Sequence, residues 1–112
     1  MPINSRTKGA VAEREVAKLL TDAGFPSRRG QQFSGSPDSP DVKHSLPLPI
    51  HIEVKRVEAL SIYPAMEQAM RDSAPGEMPT VWHRRSKKPW LVVMLAEDFL
   101  KLVPNPLEDI LS

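Results

Sequence analysis

Cysteine is absent from this 112-residue sequence. That absence excludes disulfides, cysteine-ligated zinc, iron–sulfur clusters and thiol catalysis, and it suits a reducing compartment. Long apolar runs are missing too. The longest, Trp90–Ala96, has seven residues, against the ~20 of a membrane-spanning helix. Met1 to Lys8 contain no apolar stretch of the secretory kind. The expectation is a soluble cytoplasmic protein with no membrane contact.

What the sequence has instead is a globular balance, 40% hydrophobic and 26% charged, which argues against intrinsic disorder. A chain of this length fits one domain and buries roughly two-thirds of its unfolded surface, enough to hold a core without staples. We expect a single domain over residues 1–103 and a short tail over 104–112. The net charge of +1 hides an asymmetry: residues 1–88 carry fourteen basic and ten acidic side chains, whereas residues 89–112 carry Lys101 alone against four acids. The basic residues cluster at Arg28-Arg29, Lys55-Arg56 and Arg84-Arg85-Ser86-Lys87-Lys88. Such clusters fit either a nucleic-acid face or solvated turns.

Residues 6–23 carry Ala12, Val16, Leu19, Leu20 and Ala23 on one helical stripe, with Gly24 as a C-terminal stop and Pro26 beyond it. Residues 30–40 are rich in Gly, Ser and Pro and read as a loop, with short strands near Ser27–Gly30 and from Asp41. Residues 50–55 alternate: Ile50, Ile52 and Val54 share one face, His51, Glu53 and Lys55 the other. Ile62, Ala65, Met66, Ala69 and Met70 form a second helical stripe, with Ser61 as N-cap and Pro75-Gly76 as terminator. Thr80–Arg84 and Trp90–Leu95 read as strands joined by the basic turn. The second is apolar on both faces, as in a central strand covered on both sides. Glu97–Val103 suits a last short helix. This order predicts an α/β fold, a mixed sheet of four to five strands flanked by helices. The twelve prolines, about twice average usage, sit mostly at element boundaries.

The residues that suggest chemistry are Pro40-Asp41 and Glu53-Val54-Lys55. Glu53 and Lys55 share a strand face, and a hairpin with the preceding strand brings Asp41 beside Glu53. Two adjacent carboxylates repel unless a cation sits between them. Mg²⁺ is held in this way, with water and substrate phosphate completing its shell. A lysine on the same face can hold the attacking water or the charge that builds on phosphorus. Residue types and geometry together suit metal-assisted phosphodiester hydrolysis. Glu13 lies roughly 70° from the centre of its helix's apolar stripe, where a helix packed on the sheet can aim it at the sheet edge.

Pro40-Asp41 and Glu53-Val54-Lys55 resemble the PD-(D/E)xK nuclease signature. Lys8-Gly9-Ala10-Val11-Ala12-Glu13-Arg14-Glu15, then Gly24-Phe25, then Arg29, resemble the N-terminal part of the archaeal-type Holliday junction resolvases. In those proteins a Lys-Gly-x-x-x-Glu-Arg-Glu helix ends in Gly-Phe and feeds a strand carrying an arginine. The resemblance spans residues 8–95, and small phage and bacterial nucleases of the superfamily are similar in size. It implies a restriction-endonuclease-like core, an endodeoxyribonuclease using Mg²⁺ with Mn²⁺ as an alternative, a branched-DNA substrate, a homodimer, and a home in a bacterial or phage-infected cell. Residue by residue, it makes Asp41, Glu53 and the Val54 carbonyl metal ligands and adds Glu13 to the metal site, where it helps to order metal-bound water. Lys55 becomes the catalytic lysine. Arg14 and Arg29 contact phosphate or orient acidic neighbours, and Ser34 matches a resolvase loop serine. Gln68 matches a glutamine of wider PD-(D/E)xK nucleases, although it lies roughly 130° off its helix's apolar stripe, a position that points to solvent.

Arg28, Arg84, Arg85, Lys87 and Lys88 complete the candidate nucleic-acid contacts. The spacing of His44, His51 and His83 matches no usual metal pattern, although alternation puts His51 on the face of Glu53. Trp82, Trp90, Met66 and Met70 read as core. Leu107, Ile110 and Leu111 are candidate dimer contacts. Two stretches depart from the resolvase pattern: Pro26-Ser27, where apolar residues usually start the strand, and Pro75 to Pro89. Other readings are a nuclease of flaps, nicks or ordinary duplex, and a catalytically silent nucleic-acid-binding module.

Overall fold

The structure is a computed structural model that describes residues 5–30 and 40–104, with side chains from residue 9 onward. Ser34 and the tail residues Leu107, Ile110 and Leu111 lie outside the described residues. The element order is α1 (Ser5–Asp22), β1 (Arg28–Arg29), β2 (Val42–Lys43), β3 (Ile50–Lys55), α2 (Ile62–Asp72), β4 (Met78–His83), β5 (Leu91–Met94) and α3 (Ala96–Leu102). Gly24 ends α1 at φ +103, a conformation that side-chain-bearing residues rarely adopt. Ser61 occupies the N-cap of α2, but its side chain makes no capping hydrogen bond.

The chain forms a mixed α/β fold, but the five strands among the described residues do not make one sheet. β3, β4 and β5 form a three-stranded sheet with β4 in the centre, parallel to β3 and antiparallel to β5. β1 and β2 form a separate antiparallel ribbon, linked to the sheet by the Asp41 N–H donating to the Ile52 carbonyl at 3.1 Å. The expected sheet of four to five strands is thus three strands plus a ribbon. β1 and β2 are two residues each, too short to extend the ladder.

Apolar residues cover both faces of β3–β4. On one side Val16, Ala17 and Leu20 of α1 pack with Val42, Ile50, Ile52 and Trp82. On the other, Ala65, Met66 and Ala69 of α2 pack with Val81. Leu19 and Met70, assigned to the interior from periodicity, are about half exposed. β5 also departs from expectation. Among the described residues it is an edge strand, with Leu91 56% and Val92 49% exposed, not a strand covered on both sides. An unbroken apolar run marks either a doubly covered strand or an edge that leaves its apolar residues uncovered.

Candidate active site

Backbone hydrogen bonds place Asp41. The Gly30 N–H donates to the Asp41 carbonyl at 2.9 Å, and the Asp41 carboxylate Oδ2 accepts from the Val54 N–H at 2.7 Å. Gly30 is needed for this close approach, because a Cβ there would overlap the Pro40 carbonyl. The strand then does the rest. Within a strand the N–H and C=O of one residue point the same way. Ile52 and Val54 turn theirs to the ribbon, while the Lys55 carbonyl turns to β4 and accepts from Arg84. The Val54 carbonyl therefore faces the edge where Asp41 sits.

Alternation puts His51, Glu53 and Lys55 on the α2 side of β3. Asp41 and Glu53 are both buried, and a hydrogen bond joins their carboxyl groups. Burial, then the charge of Glu53, pushes the Asp41 carboxyl up to about 7 despite the opposing Val54 N–H; Glu13 adds to the rise. Burial works in the same direction on Glu53. There it is outweighed by the hydrogen bond and charge of His51 and by Lys55, so Glu53 sits below its ordinary value. His51 Nε2 lies 2.8 Å from Glu53 Oε1, and this partner raises His51 against the effect of its own burial.

Two residues of α2 complete this side. Lys55 Nζ donates to Gln68 Oε1 at 2.7 Å, so Gln68 leans onto β3 instead of facing solvent. One turn on, Asp72 shares a hydrogen bond with Glu53, and desolvation and the Glu53 charge raise its pKa. Asp72 did not stand out in the sequence; its i, i+4 spacing from Gln68 was the available signal.

On the opposite side α1 supplies Glu13, 8% exposed, whose Oε2 accepts from Arg29 Nε at 2.9 Å. Glu15, also missed by sequence reasoning, accepts from Arg84 Nη1 at 2.7 Å. The candidate phosphate contacts thus divide: Arg29 and Arg84 are engaged with acids of α1, whereas Arg14, Arg28, Arg85, Lys87 and Lys88 are exposed. The β4–β5 turn, with Lys87 at φ 63, borders a cleft of about 600 Å³. Its floor includes Leu60, Ile62, Leu91 and Val93, and its rim includes Arg85 and Lys88. His44 and His83 bond the backbone carbonyls of Ile50 and Val57, which leaves His51 as the histidine at the carboxylates.

Among the described residues, no group of three or more acidic or imidazole side chains is arranged to cage a metal ion. The donor set nonetheless fits a hard cation of the kind that keeps its waters and needs only one or two carboxylates besides phosphate. Two buried carboxyls in contact, one of them pushed well above its ordinary value, are a pair whose repulsion a bound cation would relieve.

No family model matches the sequence, and no curated protein matches it. Among solved structures, the fold is similar to that of Archaeoglobus fulgidus Hjc, a Holliday junction resolvase from an archaeal hyperthermophile. The TM-score is 0.57, at 24% identity over 78% of this chain and 72% of that one. The likeness establishes the fold. Among the described residues no helix is long and apolar enough to cross a membrane.

Proposed function

We propose that the protein is a divalent-metal-dependent endodeoxyribonuclease of the PD-(D/E)xK type that cuts branched DNA, with the four-way Holliday junction as its leading substrate. The observation that carries this is the buried contact of Asp41 with Glu53, with Lys55 on the same strand face. A silent binding module has no use for two acids that folding must bury in contact. The resolvase-like fold supports the choice of nuclease and of branched DNA.

Asp41, Glu53 and the Val54 carbonyl would hold Mg²⁺, or Mn²⁺ in its place, with Glu13 beside them to order water. When bound, the ion supplies a Lewis acid for the phosphate and lowers the pKa of water. The protein's own groups do the remaining work. The Asp41–Glu53 pair would lose its proton as the ion binds. Gln68 fixes the Lys55 ammonium, which neutralises charge building on the phosphoryl oxygens. Arg29 holds Glu13 where it can orient water. Arg14, Arg28, Arg85, Lys87 and Lys88 grip flanking phosphates, and Ser34 stays a candidate contact by resemblance alone.

Resolution of a four-way junction needs two symmetric nicks, and one chain carries one such site. A two-fold homodimer is the simplest way to set two sites at a fixed separation. The exposed apolar residues of β5 and α3, including Leu91, Val92, Phe99 and Leu100, support an interface there. Such an enzyme belongs in the cytoplasm of a bacterium or phage-infected cell.

The test is cleavage of matched four-way junction, flap, single-strand and linear duplex DNAs in Mg²⁺ and in EDTA. The proposal expects junction cut fastest, by paired nicks, and nothing cut in EDTA. Preference for flaps or plain duplex moves the substrate and keeps the chemistry. Binding without cleavage of any of them in Mg²⁺ or Mn²⁺ makes the protein a silent module.

A further inference from the structure

Three groups surround Glu53: Asp41, Asp72 and His51. Two of them are acids. Each acid keeps its hydrogen bond to Glu53 only while a proton stays between the two carboxyls. A cation held by Asp41 and Glu53 would take the place of such a proton. His51 differs. A ring N–H donates to Glu53 Oε1 at 2.8 Å and needs no proton from either acid.

The setting of His51 is also unusual. Its side chain is 1% exposed and that of Glu53 is 4%. Besides Lys55, Gln68 and Asp72, this side of the sheet carries Ala65, Met66, Ala69 and Val81, against which an apolar residue at position 51 would pack. The backbone of His51 is pinned: Thr80 Oγ1 donates to the His51 carbonyl at 2.7 Å and itself accepts from Trp82 Nε1 at 3.1 Å. The imidazole thus projects from a fixed, buried strand position onto one oxygen of one carboxylate.

We propose that His51 is a positioning residue for cation uptake: it occupies Oε1 of Glu53 and leaves the other oxygen to the metal. The inference rests on the nuclease reading above. Outer hydrogen bonds of this kind orient the metal's ligands, and losing one typically costs ~10–100-fold in metal affinity or activity.

The experiment compares full-length wild type with His51→Leu, His51→Gln and His51→Asn. EDTA-stripped protein is titrated calorimetrically with MnCl₂, and junction cleavage is followed against Mg²⁺ concentration. His51→Leu should bind Mn²⁺ ~10–100-fold more weakly. Its Mg²⁺ midpoint should rise by a similar factor, while the rate at saturating Mg²⁺ stays near wild type. His51→Gln, whose amide reaches the same oxygen, should restore most of the affinity. His51→Asn, too short to reach it, should behave like His51→Leu, and it replaces that variant if leucine prevents folding. Wild-type Mn²⁺ affinity in His51→Leu or His51→Asn, or no rescue by His51→Gln, overturns the role of His51 alone. If wild type binds no Mn²⁺ and cuts no DNA, the nuclease reading falls and this inference falls with it.

Discussion

The two ends of this molecule break the ordinary rule of burial in opposite directions. Around β3 and its flanking helices the chain buries what water favours: Glu13, Asp41, His51 and Glu53 are all under a tenth exposed. Along β5 and α3 it exposes what water disfavours, with Leu91, Val92, Phe99 and Leu100 all about half exposed or more. On α3 the inversion occurs within one turn, where Asp98 is buried beside exposed Phe99. Neither arrangement helps a lone chain fold. On the function proposed above, the acids around β3 form a site that takes up positive charge, and the apolar residues of β5 and α3 form a face that takes a partner. If the comparison holds, damage at the first end should abolish chemistry with little effect on assembly, and damage at the second should do the reverse.

The largest effect is expected at the buried acids. Glu53→Gln keeps size and removes a ligand charge, so single-turnover cleavage should fall by roughly 1,000-fold, several kcal/mol of transition-state stabilisation, with circular dichroism unchanged. Full activity in this variant breaks the comparison at its first end. Lys55→Ala should slow the chemical step ~100-fold and leave junction affinity nearly intact. If affinity falls as far as rate, Lys55 does no more than hold phosphate.

At the other end, Val92→Lys with Leu100→Asp should shift light-scattering mass from dimer to monomer while each chain still folds. A wild type that is itself monomeric, alone and on junction DNA, removes that half of the comparison. Between the two ends, neutralising Arg85, Lys87 and Lys88 should flatten the dependence of log affinity on log salt by ~0.9 for each DNA phosphate the variant no longer neutralises. Arg84 is left out because Glu15 already holds it.

Much of the first end was legible in the sequence, and less of the second. The alternation of residues 50–55 put Glu53 and Lys55 on one face, and Glu13 read as marginal to its helix stripe. Both readings needed only local periodicity. Gln68 was harder because its helical angle is measured from the apolar stripe, whereas its fate depends on how α2 leans over β3. Asp72 offered no motif, only a spacing from Gln68. β5 misled because an apolar run says nothing about which neighbour is missing. The ribbon and sheet separated because β1 and β2 are too short for pairing to be read from pattern.

A smaller effect concerns pH. Burial and the Glu53 charge push the folded Asp41 carboxyl up to about 7, against 3.8 ordinarily. Below 3.8 both folded and unfolded chains hold the proton. Between 3.8 and about 7 only the folded chain does, so its stability declines as pH rises through that window. Thermal melts in EDTA should show this decline, and Asp41→Asn should flatten it. An unchanged slope in the variant assigns the pH dependence elsewhere.

The central claim is that a proton stands in for a cation between Asp41 and Glu53, and proton release on metal binding tests it most directly. Calorimetric titration of EDTA-stripped protein with MnCl₂ near neutral pH, in two buffers of different ionisation enthalpy, counts the protons released. The account predicts Mn²⁺ uptake with release of a substantial fraction of a proton, and loss of both in Asp41→Asn. Mn²⁺ uptake without proton release, or uptake undiminished in Asp41→Asn, would contradict it.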